Sequence, residues 1–241
     1  MKSIQEEIRF DVDGLTLAGV LHKPVTDGTP PLVVGCHGLF SDGNSPKQVE
    51  LGRRLNEVGI GFFRLHHRGR GASQGDFREV TSLSGRVRDL AGAANVLARR
   101  EDLGPPAGFF GSSMGGAVVL SHAARHPVGA VVTLAAPVVR APVVDILRET
   151  GQDRELGPAF FSEDDAMVLE PLSPLTRLLV FHGQDDEVVP VSHATRLYDM
   201  AVEPKELVVF PGGDHRISDP GHQKEFMDRT VQWFKRWLAA S

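Results

Sequence analysis

A serine between glycines, a late histidine and a pair of aspartates carry the chemistry that this sequence could perform. Ser113 lies in Gly111-Ser112-Ser113-Met114-Gly115, after the apolar run Gly108 to Phe110 and before a helical run that reaches about His126. Strand, Gly-x-Ser-x-Gly, helix is the order that sets a serine on a strained turn with its hydroxyl above a sheet. Glycine on either side keeps a Cβ out of the place where strand and helix crowd together. Met114 follows the serine, so its N–H opens the helix, where backbone donors favour negative charge. The five-residue pattern alone is weak, since a glycine-rich turn between two elements reads the same way. Its partners decide.

A serine hydroxyl is a poor nucleophile at neutral pH and needs a base, and the base needs something to orient it. Among the ten histidines, His215 stands in a loop after an apolar run and before the last helix. Upstream, Phe181 to Pro190 follows another apolar run and offers Asp185 and Asp186. Serine, acid, histidine is the chain order expected of a hydrolase built on this turn. The competing reading is three unrelated loop residues. Asp214 adjoins His215 too closely to orient it and reads as a turn residue. His122 and His126, at i and i+4 on the serine helix, have the spacing of a metal pair. No accompanying glutamate and third ligand are evident, so a helix C-terminus that favours positive charge is the simpler account. No metal and no cofactor is expected. Cys36, the only cysteine, reads as a small buried apolar residue.

The elements that must hold these residues alternate. Ile4 to Phe10 and Leu15 to His22 read as a hairpin about Asp13-Gly14. Leu32 to Cys36 is an apolar run suited to burial on both faces, and ends in His37-Gly38-Leu39-Phe40. A helix over Pro46 to Val58, a strand over Ile60 to Leu65, a glycine-rich loop and a helix over Ser84 to Arg99 lead to the serine strand. Then come strands Val128 to Leu134, Arg177 to His182 and Glu206 to Phe210. A helix over Ser192 to Val202 separates the last two strands. The last helix, Pro220 to Leu238, carries Phe226, Thr230, Trp233, Phe234 and Trp237 on one face. This alternation predicts an α/β fold, a doubly wound and mostly parallel sheet with an N-terminal antiparallel hairpin. Residues 1–241 read as one domain. Pro137 to Pro174 breaks the rhythm with five prolines and reads as an irregular small cap insertion. Within it the Glu163 to Asp165 run reads as a solvated face. Phe160, Phe161 and Met167 either line a substrate pocket or pack the cap.

Composition sets bounds. With 41% hydrophobic and 24% charged residues, the chain is of ordinary globular type. A net charge of −5 without a basic stripe argues against nucleic acid as a partner. A single cysteine permits no internal disulfide. No signal-peptide core and no apolar run of membrane-spanning length is evident. The expected setting is cytoplasmic, away from membranes. The sequence does not fix the oligomeric state, and a homodimer stays open.

Taken together, these motifs resemble the α/β-hydrolases, in particular the small-cap carboxylesterases that include feruloyl- and cinnamoyl-esterase-like proteins. The resemblance runs nearly the whole length: His37 to Phe40, Arg68 to Ser73, Gly111 to Gly115, His182 to Pro190, and Asp214-His215. It implies Ser113 as nucleophile, His215 as base and Asp186 as the orienting acid. It implies the N–H groups of Leu39 and Met114 as the oxyanion hole, with Phe40 lining the pocket. His66 departs from the pattern, where relatives often carry aspartate. The expected activity is cleavage of carboxylic esters of small to medium or aromatic acyl groups through an acyl-enzyme, with a small-molecule ester as partner. A thioesterase or peptidase would share the same residues. A binding module that kept the fold is the alternative of another class.

Overall fold

Apolar runs without a polar face have to be covered on both sides. In the computed structural model, which describes residues 3–162 and 175–238, they form the middle of one eight-stranded sheet. The strands are β1 (Ser3–Val12), β2 (Leu15–Pro24), β3 (Leu32–Cys36), β4 (Gly61–His66), β5 (Pro106–Ser112), β6 (Ala130–Leu134), β7 (Leu178–Gly183) and β8 (Lys205–Phe210). Their spatial order is β1-β2-β4-β3-β5-β6-β7-β8. β1 and β2 pair antiparallel, as do β2 and β4; β4 to β8 are parallel throughout. Asp13 and Gly14 both have positive φ, 52° and 77°, which is the mirror-image turn whose twist matches a hairpin.

The helices are α1 (Pro46–Glu57), α2 (Phe77–Val80), α3 (Leu83–Leu97), α4 (Met114–Ala123), α5 (Arg140–Glu149), α6 (Pro158–Phe161), α7 (Ser192–Met200) and α8 (Pro220–Leu238). Side chains alternate along each strand, so neighbouring residues enter different cores. Val33, Phe62, Phe110, Val132 and Leu179 join Leu51 and Leu55 of α1 and Phe226 and Trp233 of α8. Val34, Phe63, Phe109, Val131 and Leu178 join the buried faces of α3, α4 and α7. The sheet is therefore doubly wound, as expected from the alternation.

Two segments differ from the expectation. Residues 140–149 form α5 rather than irregular chain. Pro142 lies in its first turn, where a missing N–H breaks no helical hydrogen bond. A 3₁₀ turn (Gln152–Glu155) and the short α6 follow. Met167 and the Glu163 to Asp165 run lie outside the described residues. The serine helix ends at Ala123, short of His126, with Ala124 as its C-cap.

Phe226 is fully buried, with ring centroids 5.1 Å from Phe181 and 5.8 Å from Phe110, so α8 locks onto β5 and β7 through it. Phe226→Ala is expected to cost about 3–5 kcal/mol in urea denaturation. Val49→Ala, at a partly exposed position on α1, is expected to change stability by less than about 0.5 kcal/mol.

Candidate active site

β3, β5, β7 and β8 each end on the same edge of the sheet, and the loops leaving them meet there. The chain reverses its winding between β3 and β5, the switch point at which ligands bind in such sheets. Ser113 caps α4 with φ 52° and ψ −126°, a backbone that a non-glycine residue holds only under strain. The surrounding close packing explains why it holds. A Cβ on Gly111 would stand 2.2 Å from the Gly115 carbonyl oxygen, and one on Gly115 would stand 2.2 Å from that of Cys36. The Ser113 N–H is tied to Leu134 O at 2.8 Å, which fixes the turn on β6 as well.

Ser113 Oγ lies 3.1 Å from His215 Nε2. The other ring nitrogen, Nδ1, lies 2.9 Å from both carboxylate oxygens of Asp186. The His215 N–H donates to Glu187 Oε2 at 3.0 Å, which ties the histidine loop to the acid loop. The Asp185 N–H donates to Gly213 O at 2.9 Å, a second tie between them. Asp185 itself is exposed, whereas the Asp186 side chain is fully buried. Asp214 accepts from Ser218 N and Oγ within its own turn.

Burial alone would raise the Asp186 pKa. Hydrogen bonds from His182 and His215, the charge of His215 and the Val189 N–H outweigh it and hold the carboxyl well below the usual carboxylate range. His182 is the partner that sequence reading missed. Its Nε2 is 2.7 Å from Val189 O and 3.2 Å from Asp186 Oδ2. A carbonyl only accepts, so Nε2 carries the proton.

Gly38, at the end of β3, borders the serine: a Cβ built on it would lie 3.4 Å from Ser113 Cβ. Leu39 follows, largely buried, while Phe40 is half-buried and packs 6.0 Å from Phe77. Met114 opens α4, where an N–H has no acceptor within the helix. Phe160 is buried in the core with its ring edge-on to Phe161, which is half-buried.

Behind the loops lies a buried polar cluster that composition and motifs did not reveal. Asp89 accepts from Arg68 through both backbone and guanidinium. His37 Nε2 accepts the His67 N–H at 3.2 Å, so Nδ1 holds the proton and donates to Gly38 O at 2.8 Å. Burial drives the His37 pKa well below that of a free imidazole, and the nearby Arg86 charge adds to this. Burial likewise brings His67, His22 and His122 down to about 4. The positive-charge account of His122 is therefore corrected. Its ring packs 4.9 Å from Phe109 and 4.5 Å from His126, and stays neutral. His66, the departure from the expected pattern, is buried beneath the glycine-rich loop, and its carbonyl accepts from Ser73 Oγ at 2.6 Å. The Cys36 thiol is buried, which pushes its pKa up.

The family described as serine aminopeptidase, S33, matches residues 29–152, just over half of the chain and spanning β3 to α5. The chain belongs to this family of α/β-hydrolases. Within the superfamily it is 29% identical over 217 residues to the uncharacterized protein YfhR of Escherichia coli, covering 87% of this chain and 73% of that one. It is 25% identical over 266 residues to a monoacylglycerol lipase of Mycolicibacterium smegmatis, covering 92% and 94%. Among solved structures it resembles Est1E of Butyrivibrio proteoclasticus, determined with ferulic acid bound. The TM-score is 0.76 at 20% identity, covering 97% and 100% of the two chains, a likeness of fold. No helix among the described residues is long and apolar enough to cross a membrane.

Two predictions follow from this hydrolase's geometry. Asp186→Asn is expected to lower turnover of p-nitrophenyl acetate by about 10⁴, the loss that follows when a serine triad's acid no longer holds the imidazole in the right tautomer, and Asp185→Asn to change it little. The reverse result would move the acid role to Asp185. The depressed histidines set the second. Near pH 5 the unfolded chain protonates these imidazoles and the folded chain does not, so the unfolded state binds more protons. Stability is then full above about pH 6.5 and falls as pH drops toward 4, by about 1.4 kcal/mol per unit for each such histidine. Urea denaturation between pH 7 and 4.5 reads the slope, and His122→Phe is expected to reduce it by one proton.

Proposed function

We propose that this hydrolase cleaves carboxylic esters of small to medium or aromatic acyl groups through an acyl-enzyme on Ser113. The observation that carries the reading is the continuous chain of contacts from Ser113 Oγ through His215 to the buried Asp186. As Ser113 Oγ bonds to the ester carbonyl carbon, its proton passes to His215 Nε2. Asp186 holds the ring by Nδ1 and stabilises the imidazolium. The carbonyl oxygen becomes an anion facing the N–H groups of Leu39 and Met114. Collapse breaks the bond to the alcohol, which leaves with the proton from His215. Water then gives a proton to His215 and attacks the acyl carbon; collapse breaks the bond to Ser113 Oγ, which takes that proton back from His215 as the acid leaves. Only a neutral His215 can accept the first proton.

Two relatives support ester chemistry by what they are: one is a monoacylglycerol lipase, another was solved with ferulic acid. The family's description favours a second reading, cleavage of an aminoacyl amide by the same residues. A panel of esters, thioesters and aminoacyl amides assayed side by side separates them.

The described cap supports a small acyl site. It consists of α5, one 3₁₀ turn and α6, and its apolar residues Val143, Val144 and Leu147 are buried in the core rather than forming a free lid. Phe40 and Phe161, both half-buried, are the aromatic side chains proposed to meet the substrate. Labelling with a fluorophosphonate is expected to add one adduct, lost in Ser113→Ala and kept in Ser112→Ala. Ser113→Ala is expected to lower kcat by about 10⁶. With p-nitrophenyl esters the rate is expected to peak at short acyl chains. A rate climbing steadily to sixteen carbons, with a jump on emulsification, would replace this reading with a lipase.

A further inference from the structure

The loop that carries Leu39 meets a buried cation on its inner side. Arg86, on α3, is fully buried. Its Nη2 donates to the Leu39 carbonyl at 2.9 Å and its Nη1 to the Gly38 carbonyl at 3.3 Å. The Gly38 oxygen also accepts from His37 Nδ1 at 2.8 Å and from the Ser41 N–H at 3.3 Å. Side chains of β3's exit loop and of α3 thus converge on one carbonyl.

A trans peptide is planar, and its C=O and N–H point in opposite directions. Holding the Gly38 oxygen toward Arg86 therefore holds the Leu39 N–H away from Arg86. The Leu39 carbonyl belongs to the next peptide, so both peptide planes flanking Leu39 are fixed by one guanidinium. Gly38 itself borders the nucleophile, 3.9 Å from Ser113 Oγ to a Cβ built on it. A cation does more here than a neutral donor. Charge-assisted hydrogen bonds are about twice as strong as neutral ones. A carbonyl polarised by a cation also leaves its peptide N–H a better donor, since linked hydrogen bonds strengthen one another.

We infer that Arg86 is the positioning residue of the oxyanion site, its guanidinium setting the direction and donor strength of the Gly38–Leu39 peptide. The inference rests on the reading of Leu39 N–H as an oxyanion donor. Arg86 touches no substrate; it acts through the peptide. The planar fork reaches two carbonyls at once, which a lysine, a single point charge on a flexible stem, does not reproduce.

The test compares Arg86→Met, which keeps the bulk, and Arg86→Lys, which keeps the charge, with the wild type. Each variant is first checked for folding by circular dichroism, and assays are run below its melting transition. The readouts are kcat and KM for p-nitrophenyl butyrate and the rate of Ser113 labelling by a fluorophosphonate. Loss of one oxyanion donor costs about 10²–10³ in kcat. Arg86→Met is therefore expected to lose about a hundredfold in kcat with KM within threefold, and Arg86→Lys about tenfold. Labelling is expected to slow in step. If Arg86→Met does not fold, Arg86→Lys carries the test. A folded variant that keeps kcat and labelling within threefold of wild type overturns the Arg86 role alone. So does a loss confined to KM. A wild-type chain that neither turns over esters nor takes the phosphonate overturns the serine-hydrolase reading, and this role with it.

Discussion

The site depends on backbone meeting backbone between β3 and β5. The first turn of α4 presses on the end of β3 so closely that a single methyl group on Gly115 would overlap the Cys36 carbonyl. On the other side, a Cβ on Gly116 would come 2.4 Å from Ala136 Cβ. The serine turn is thus wedged between the exits of β3 and β6. This contact brings the loop after β3 beside Ser113. It also supplies the surroundings that over-determine a strained φ, the condition under which such strain persists. A helix that stood one atom further off would leave the hydroxyl free to relax and the Gly38 loop without a neighbour.

The histidine and its acid come from the far side of the sheet, and a different device holds them. β7 and β8 run parallel, so their exit loops leave side by side. Backbone bonds from Gln184 and Asp185 to Phe210 and Gly213 then bind the two loops together. Asp186 is buried with His215 and His182 on its carboxylate and the Val188 and Val189 N–H groups on Oδ1. Several donors on a carboxylate that cannot swing leave its charge ionised and the imidazole in one orientation. Placement by the sheet and orientation by hydrogen bonds are separate contributions.

Local signals in the sequence carried most of the fold. Leu32 to Cys36 and Pro220 to Leu238 coincide with β3 and α8 because an apolar run and an amphipathic stripe each admit one form of burial. The hairpin extends two residues further at Val12 and Pro24, since its pairing register runs on to Val12 opposite Leu15 at the turn and to Ser3 opposite Pro24 at the open end. Residues 140–149 escaped notice because three prolines stand within the first 22 residues of that insertion, and the two that fall inside helices, Pro142 and Pro158, each lie in a first turn, where proline is tolerated. The serine turn had a five-residue signature. The choice between Asp185 and Asp186 did not, because it depends on which carboxylate turns inward from a loop. The roles of His182, Arg86 and Asp89 gave no signal, although His182 opens the motif that holds the acid. Arg86 and Asp89 stand among other polar residues of α3 and His182 within an apolar strand, and only the tertiary structure says what each faces.

Those silent residues share a physical logic. Behind the Gly38 loop, His37 is neutral, with one ring nitrogen accepting and the other donating. His67 is also held neutral by burial, although Asp89 lies 3.3 Å from its Nδ1. Arg68 satisfies most of the Asp89 carboxylate, so that negative charge is spent locally, away from Ser113. Arg86 is directed at carbonyl dipoles of the loop. A second cation at His37 would repel Arg86 in a region of low dielectric, where like charges interact strongly. A neutral imidazole there gives a directed N–H without that penalty.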